Sequence, residues 1–291
     1  MRMRLNPFNT GNINVRSSGG GGVPGGKAGG LGCGTIVIAA LGYFVFGLDP
    51  MQTAGMVEGV QQGQQQVGPA NTNEQEVCTS SEFAREACNG LQSLNQTWAG
   101  TFEAQGYGDQ FRQPTLDLYG GGGVNTGCGS GTSAMGPFYC PADQTIYIDT
   151  SFYDTLERQL GAGGDFARYY VLAHEYGHHI QTITGISSQI RSAQQQNPSR
   201  ANQLQVLMEL QADCYAGVWA ARDTNLMEAG DLEEGMRAAE AIGADTLQKA
   251  AGRRPVPESF THGTSAQRMQ WLRKGLETGD PAQCDTFGGA I

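Results

Sequence analysis

The sequence predicts an α+β domain with a helical majority and few strands, preceded by a stretch that does not fold as a globule. Three observations predict it. From Phe152 onward apolar residues recur at helical spacing almost without interruption. Only two short segments before that point, 114–120 and 144–149, alternate as strands do. Residues 1–77 are dominated by Gly, Gln and Ser apart from a single apolar run. With 291 residues, 39% of them hydrophobic, the chain has room for one domain of about 200 residues with appendages.

Residues 1–27 read as a flexible, basic, Gly-rich tail. Residues 1–48 carry Arg2, Arg4, Arg16 and Lys27 and no acidic side chain, which leaves 14 basic against 28 acidic residues in the remainder. So acidic a body repels phosphate backbones, which argues against nucleic acid as a partner. Leu31–Leu48, LGCGTIVIAALGYFVFGL, is 18 residues without a charge, and with Ala28, Gly29 and Gly30 it reaches 21. As a helix that is about 30 Å, the thickness of a bilayer's hydrocarbon. The run lacks the polar face of a core helix, begins too far from the N-terminus for a signal peptide, and is followed by no A-x-A site. Cys33 lies at its start and not after it, unlike a lipoprotein cysteine. Residues 28–48 therefore predict one transmembrane helix, with the lipid bilayer as a partner. The basic flank predicts a cytoplasmic N-terminus and an exported body at the cell membrane, periplasmic or extracellular. Gly30 and Gly34 form G-x-x-x-G, a weak signal among so many glycines.

Residues 49–77 have few large apolar groups and read as a linker, so the folded domain is expected over 78–291. Six cysteines fall within it, Cys78, Cys88, Cys128, Cys140, Cys214 and Cys284. An even number on an exported body predicts three disulfides. The short-loop pairings are 78 with 88 and 128 with 140, leaving 214 with 284. Residues 79–106 open with a Thr/Ser cap and place Leu91, Leu94, Trp98 and Phe102 at helical spacing. The Gly/Ser-rich stretch 120–137 contains neither a phosphate-binding loop nor a nucleophile elbow and reads as a flexible connection. Helices follow at about 152–160, 165–183, 200–222, 231–251 and 265–277.

The chain has four histidines, three of them in AHEYGHH. His174 and His178 are four apart, so on a helix both imidazoles leave from one face and can grip one ion. Glu175 sits within reach of a water on that ion without ligating it. This is H-E-x-x-H, the zinc metalloprotease arrangement. His179 points about 140° from His174 around the helix and must serve another face. A third ligand is expected from another helix. In VLMELQADCYAG, Glu209 and Asp213 share one face of an apolar stretch where free carboxylates are costly. Glu209 reads as the ligand, and Asp213 as acceptor of the outer N–H of a ligating imidazole.

H-E-x-x-H followed by E-x-x-x-D resembles the thermolysin-type (gluzincin) pattern. More narrowly, YCPADQTIYIDTSFYDTL, VLAHEYGHHIQTITG, MELQADCYAGVWA and THGTSAQRMQWL resemble the bacterial family of neutral zinc metallopeptidases. The E-x-x-A-D form and the C-terminal His motif also look like the heat-shock type of membrane zinc protease. The resemblance implies a zincin-like domain in which His174, His178 and Glu209 hold Zn²⁺ and Glu175 is the general base acting on a peptide or protein substrate. It implies His262 as a donor to the developing oxyanion, with Tyr215 the alternative, and Arg268 as support through a carboxylate. The strand QTIYID is expected to be the edge to which an extended peptide adds. Two rival readings are a zinc-bearing scaffold without turnover and hydrolysis of a non-peptide amide in the cell envelope.

Overall fold

A computed structural model describes residues 11–18, 70–120, 123–158, 160–223, 228 and 230–288. Four strands form one sheet: β1 (Asn14–Arg16), β2 (Thr115–Tyr119), β5 (Phe138–Cys140) and β6 (Thr145–Asp149), in the order β1-β2-β6-β5. β1 and β6 both run parallel to β2, and β5 runs antiparallel to β6. Between β2 and β5, β3 (Val124–Thr126) and β4 (Gly129–Gly131) make a separate antiparallel hairpin. The helices are α1 (Glu74–Thr79), α2 (Glu82–Ala104), α3 (Phe152–Arg158), α4 (Asp165–Ile183), α5 (Ile186–Gln196), α6 (Ala201–Arg222), α7 (Asp231–Ala241), α8 (Ala244–Ala250) and α9 (Ser265–Thr278). The described chain is thus mostly helical with a small sheet, as expected.

The sheet has two different faces. Leu116, Leu118, Ile146 and Ile148 join the main core with Leu91, Leu94 and Trp98 of α2, Phe166, Tyr170 and Tyr176 of α4, and Trp219 of α6. On the other face Tyr119 and Tyr147 pack with Val124 and Cys140, under the β3–β4 hairpin. Both central strands are therefore buried on both sides, a burial that alternation alone does not reveal. The stretch read as a flexible connection is this hairpin cover, tied to β5 by Cys128–Cys140. The other two disulfides, Cys78–Cys88 and Cys214–Cys284, also pair as expected. The helix read over 79–106 opens at a Ser cap, as expected, and the one read over 231–251 is split in two. Ser81 caps the start of α2 by accepting from the Ala84 amide. Gly243 interrupts 231–251 where a Cβ would collide with Ser265 of α9.

Two expectations for the N-terminal part are corrected. The stretch 11–18 is no free tail: β1 pairs with β2, Arg16 Nε donates to Asp117 Oδ2 at 2.6 Å, and Ser18 Oγ donates to the same oxygen at 2.7 Å. Ser17 and Asn71 exchange two backbone hydrogen bonds of 2.8 and 3.0 Å. Residues bonded in this way lie on one side of any bilayer, whereas one crossing between them would separate them. The single-pass anchor and the membrane localisation built on it are therefore withdrawn. Among the described residues no helix is long and apolar enough to cross a membrane. Residues 28–48 and 49–69 lie outside the described residues.

Candidate metal centre

Two helices build the centre because they cross at a glycine. A Cβ on Gly177 of α4 would stand 2.9 Å from Ala212 Cα of α6, so any larger residue would push the helices apart. At that separation His174 and His178, one turn apart on α4, face Glu209 on α6. His174 Nε2 is 3.2 Å and His178 Nε2 3.5 Å from Glu209 Oε2. One ligand atom from each of the three lies within 4.8 Å of the others. Donors sharing a tetrahedral zinc with bonds near 2.1 Å are roughly 3.4 Å apart, so the two imidazole-to-carboxylate spacings fit that ion. The donor set, two nitrogens and one carboxylate oxygen, fits it chemically too.

The outer sides of the ligands are all fixed. Asp213 Oδ1 accepts from His174 Nδ1 at 2.8 Å and from the Tyr170 hydroxyl at 2.6 Å. Arg268 of α9 clamps the same carboxylate with two bonds, Nε to Oδ2 at 2.9 Å and a terminal nitrogen to Oδ1 at 2.8 Å. Asp213 thus bonds His174, and Arg268 pairs with Asp213. Tyr170, Gln181 and Gln205 were not singled out. Gln181 Oε1 accepts from His178 Nδ1 at 2.8 Å, and Gln205 Nε2 donates to Glu209 Oε1 at 2.7 Å. Each of the three lies three or four residues from a ligand on the same helix, which was the available signal.

Electrostatics follow from burial opposed by close partners. Burial works to lower the His174 pKa, but Asp213 outweighs it and the group is pushed up to about 9. Burial would raise Glu209, yet His262, His178 and His174 hold it well below the carboxylate range. Asp213 sits at about 2, burial being overcome chiefly by Arg268. Glu175, 8% exposed, is raised, mainly by burial. No hydrogen bond to a described residue engages its carboxylate.

His262 lies in the loop before α9, with Nε2 3.9 Å from Glu209 Oε2 and Nδ1 2.9 Å from the Thr261 hydroxyl. The N-cap of α9 is Thr264, which accepts from the Gln267 amide. Tyr215 is corrected: its ring packs edge-on to Trp98, centroids 5.2 Å apart, in the main core. It lies six positions beyond Glu209 and turns to another face of α6. His179 serves another face, as expected, with Nε2 donating to the Arg112 carbonyl at 2.7 Å and Nδ1 3.1 Å from the Tyr139 hydroxyl. The expected peptide edge is also corrected. TIYID of that segment is β6, flanked by β2 and β5, and the strand that ends the sheet on that side is β5.

Comparison with known proteins shows the family to which the whole chain is similar. The model of a family described as "Putative neutral zinc metallopeptidase" matches residues 1–287. The uncharacterized protein YpfJ of Escherichia coli (strain K12) is 46% identical over 259 residues, 88% of this chain and 86% of that one. The uncharacterized protein Rv2575 of Mycobacterium tuberculosis (strain ATCC 25618 / H37Rv) is 42% identical over 193 residues, 62% of this chain and 64% of that one. No solved structure matches significantly.

Proposed function

The chain belongs to the neutral zinc metallopeptidase family, and from that premise we propose that it is a zinc-dependent endopeptidase of zincin-like plan, using Glu175 as general base. The observation that carries the reading is the convergence of His174, His178 and Glu209 beside a buried, unengaged Glu175. Structural zinc sites close their shell with four protein ligands and need no base. Here three ligands and a base stand together, which favours turnover over a scaffold.

His174, His178 and Glu209 would hold the ion, which supplies Lewis acidity toward water and toward the substrate carbonyl. Glu175 takes the proton that an attacking water gives up and returns it to the leaving amine. Its burial suits that exchange, because desolvation raises the carboxyl's pKa from its ordinary value and makes it a better proton acceptor. His262 is positioned to donate from Nε2 toward a developing oxyanion, with Thr261 accounting for Nδ1. The substrate is an extended peptide or protein segment, and β5 supplies the ladder it joins. β5 lies against α4 through Tyr139 and His179.

The test compares the full chain with Glu175→Gln on an unfolded protein and a peptide library, with zinc content measured in both. Zinc at one equivalent in each, cleavage by the wild type, and a loss of turnover of at least about 100-fold in the variant are expected. Equal cleavage by both would remove Glu175 from the mechanism. Zinc in both with no cleavage by either would favour the scaffold.

A further inference from the structure

The two ligating imidazoles are held from outside by different means, and the second leads to a remote part of the chain. Gln181 is fully buried and uses every polar group it has. Its Nε2 donates to the Met208 carbonyl at 2.8 Å and to Gln211 Oε1 at 3.1 Å, while its Oε1 faces His178 Nδ1. Gln211, also buried, donates from Nε2 to the Cys284 carbonyl at 3.0 Å. Backbone carbonyls only accept. The Met208 and Cys284 oxygens therefore dictate which end of each amide is nitrogen. That order leaves Gln181 Oε1 as an acceptor, which requires a proton on His178 Nδ1 and so leaves Nε2, toward Glu209, as the nitrogen that can ligate. Cys284 is itself fixed by its disulfide to Cys214, on the turn of α6 that follows Gln211.

The geometry points to Gln181 and Gln211 as positioning residues for the metal centre, with the Cys214–Cys284 disulfide as the fixed end of the relay. Resting on the zinc reading above, this makes retention of the ion depend on a disulfide that touches no ligand. Reduction frees the Cys284 carbonyl to move, Gln211 loses the partner that sets its orientation, and His178 loses its enforced tautomer. The relay is neutral throughout, so it fixes a proton without adding charge to the site.

The experiment uses the full chain loaded with zinc, and follows release of the ion to a colorimetric chelator. Gln211→Leu, Gln181→Leu and the pair Cys214→Ala/Cys284→Ala are compared with wild type and with Leu94→Ala, a core change away from the relay. Release faster by about 10-fold or more is expected in the relay and disulfide variants, and close to wild-type release in Leu94→Ala. Cobalt substituted for zinc should show altered ligand-field absorption in the relay variants alone. If a relay variant does not fold, chelator release from the wild type after mild reduction reads the same dependence. Release tracking only the loss of thermal stability, Leu94→Ala included, overturns the proposal. A wild type that takes up no zinc overturns the zinc reading instead, so the two failures are separate.

Discussion

His174 and His178 face one carboxylate from one helix, yet opposite kinds of chemistry hold them. Behind His174 lies a charged clamp, Asp213 with Arg268 and the Tyr170 hydroxyl, assembled from α4, α6 and α9. Behind His178 lies a neutral amide relay ending on backbone carbonyls. Both fix a proton on Nδ1, which is all that ligation by Nε2 requires. The difference lies in what each costs when broken. A buried carboxylate and guanidinium depend on one another for their lost hydration, whereas an amide leaves behind only an unmade hydrogen bond.

The sharpest way to break that comparison is Arg268→Met. It strips the buried Asp213 of its guanidinium and leaves it only His174 and the Tyr170 hydroxyl, and about 3 kcal/mol of stability should be lost in urea unfolding of the metal-free chain. Replacing both partners, Arg268→Met with Asp213→Leu, should recover most of that stability while zinc binding stays weakened. No recovery in the pair would show that the clamp stabilises by more than mutual neutralisation.

The next test uses pH to separate a neutral network from a charged one. Burial lowers the His179 pKa from 6.5 to about 4, so the folded state holds this ring uncharged. Its contribution is present above pH 6.5, falls as the unfolded chain takes up the proton, and is gone below about 4. On the order of 3 kcal/mol should vanish over that window. Asp213 behaves otherwise, since its pKa falls from 3.8 to about 2, and its contribution is lost only below 3.8. Unfolding of wild type and His179→Gln from pH 7 to 4.5 should show the difference between them shrinking as pH falls. A constant difference would mean that His179 is not held neutral.

The smallest effect belongs to Tyr170→Phe. It removes one of the bonds to Asp213 while Arg268 and His174 keep theirs, so about 1.5 kcal/mol of stability should go with little change in zinc release. A larger loss of zinc would make Tyr170 part of the clamp's alignment.

The centre was legible to the extent that helices are periodic. H-E-x-x-H needs only the spacing of one helix to bring two rings together, and E-x-x-x-D needs only a second. The outer partners on the ligands' own helices, Tyr170, Gln181 and Gln205, lay at readable spacings but have no distinctive chemistry to single them out. Tyr215 was misplaced because nearness in sequence says little about which face of α6 a side chain takes. α5 was not read, since Ile186, Ile190 and Ala193 are its few apolar positions among Ser, Gln and Arg. β1 was beyond reach: three residues in a Gly/Ser setting become a strand only because β2, Asp117 and Asn71 are there to bond them.

By itself the sequence determined the class of domain, the convergence of His174, His178 and Glu209, and the disulfide pairing, because local periodicity, residue chemistry and loop length each act over short stretches of chain. Tertiary structure alone decided that the N-terminal stretch returns to the sheet, that β5 rather than β6 ends the far side of that sheet, and that the Cys284 carbonyl accepts from Gln211, which is bonded to Gln181 beside His178. Those facts rest on hydrogen bonds and packing between residues distant in sequence, and such pairings leave no periodic trace in either partner.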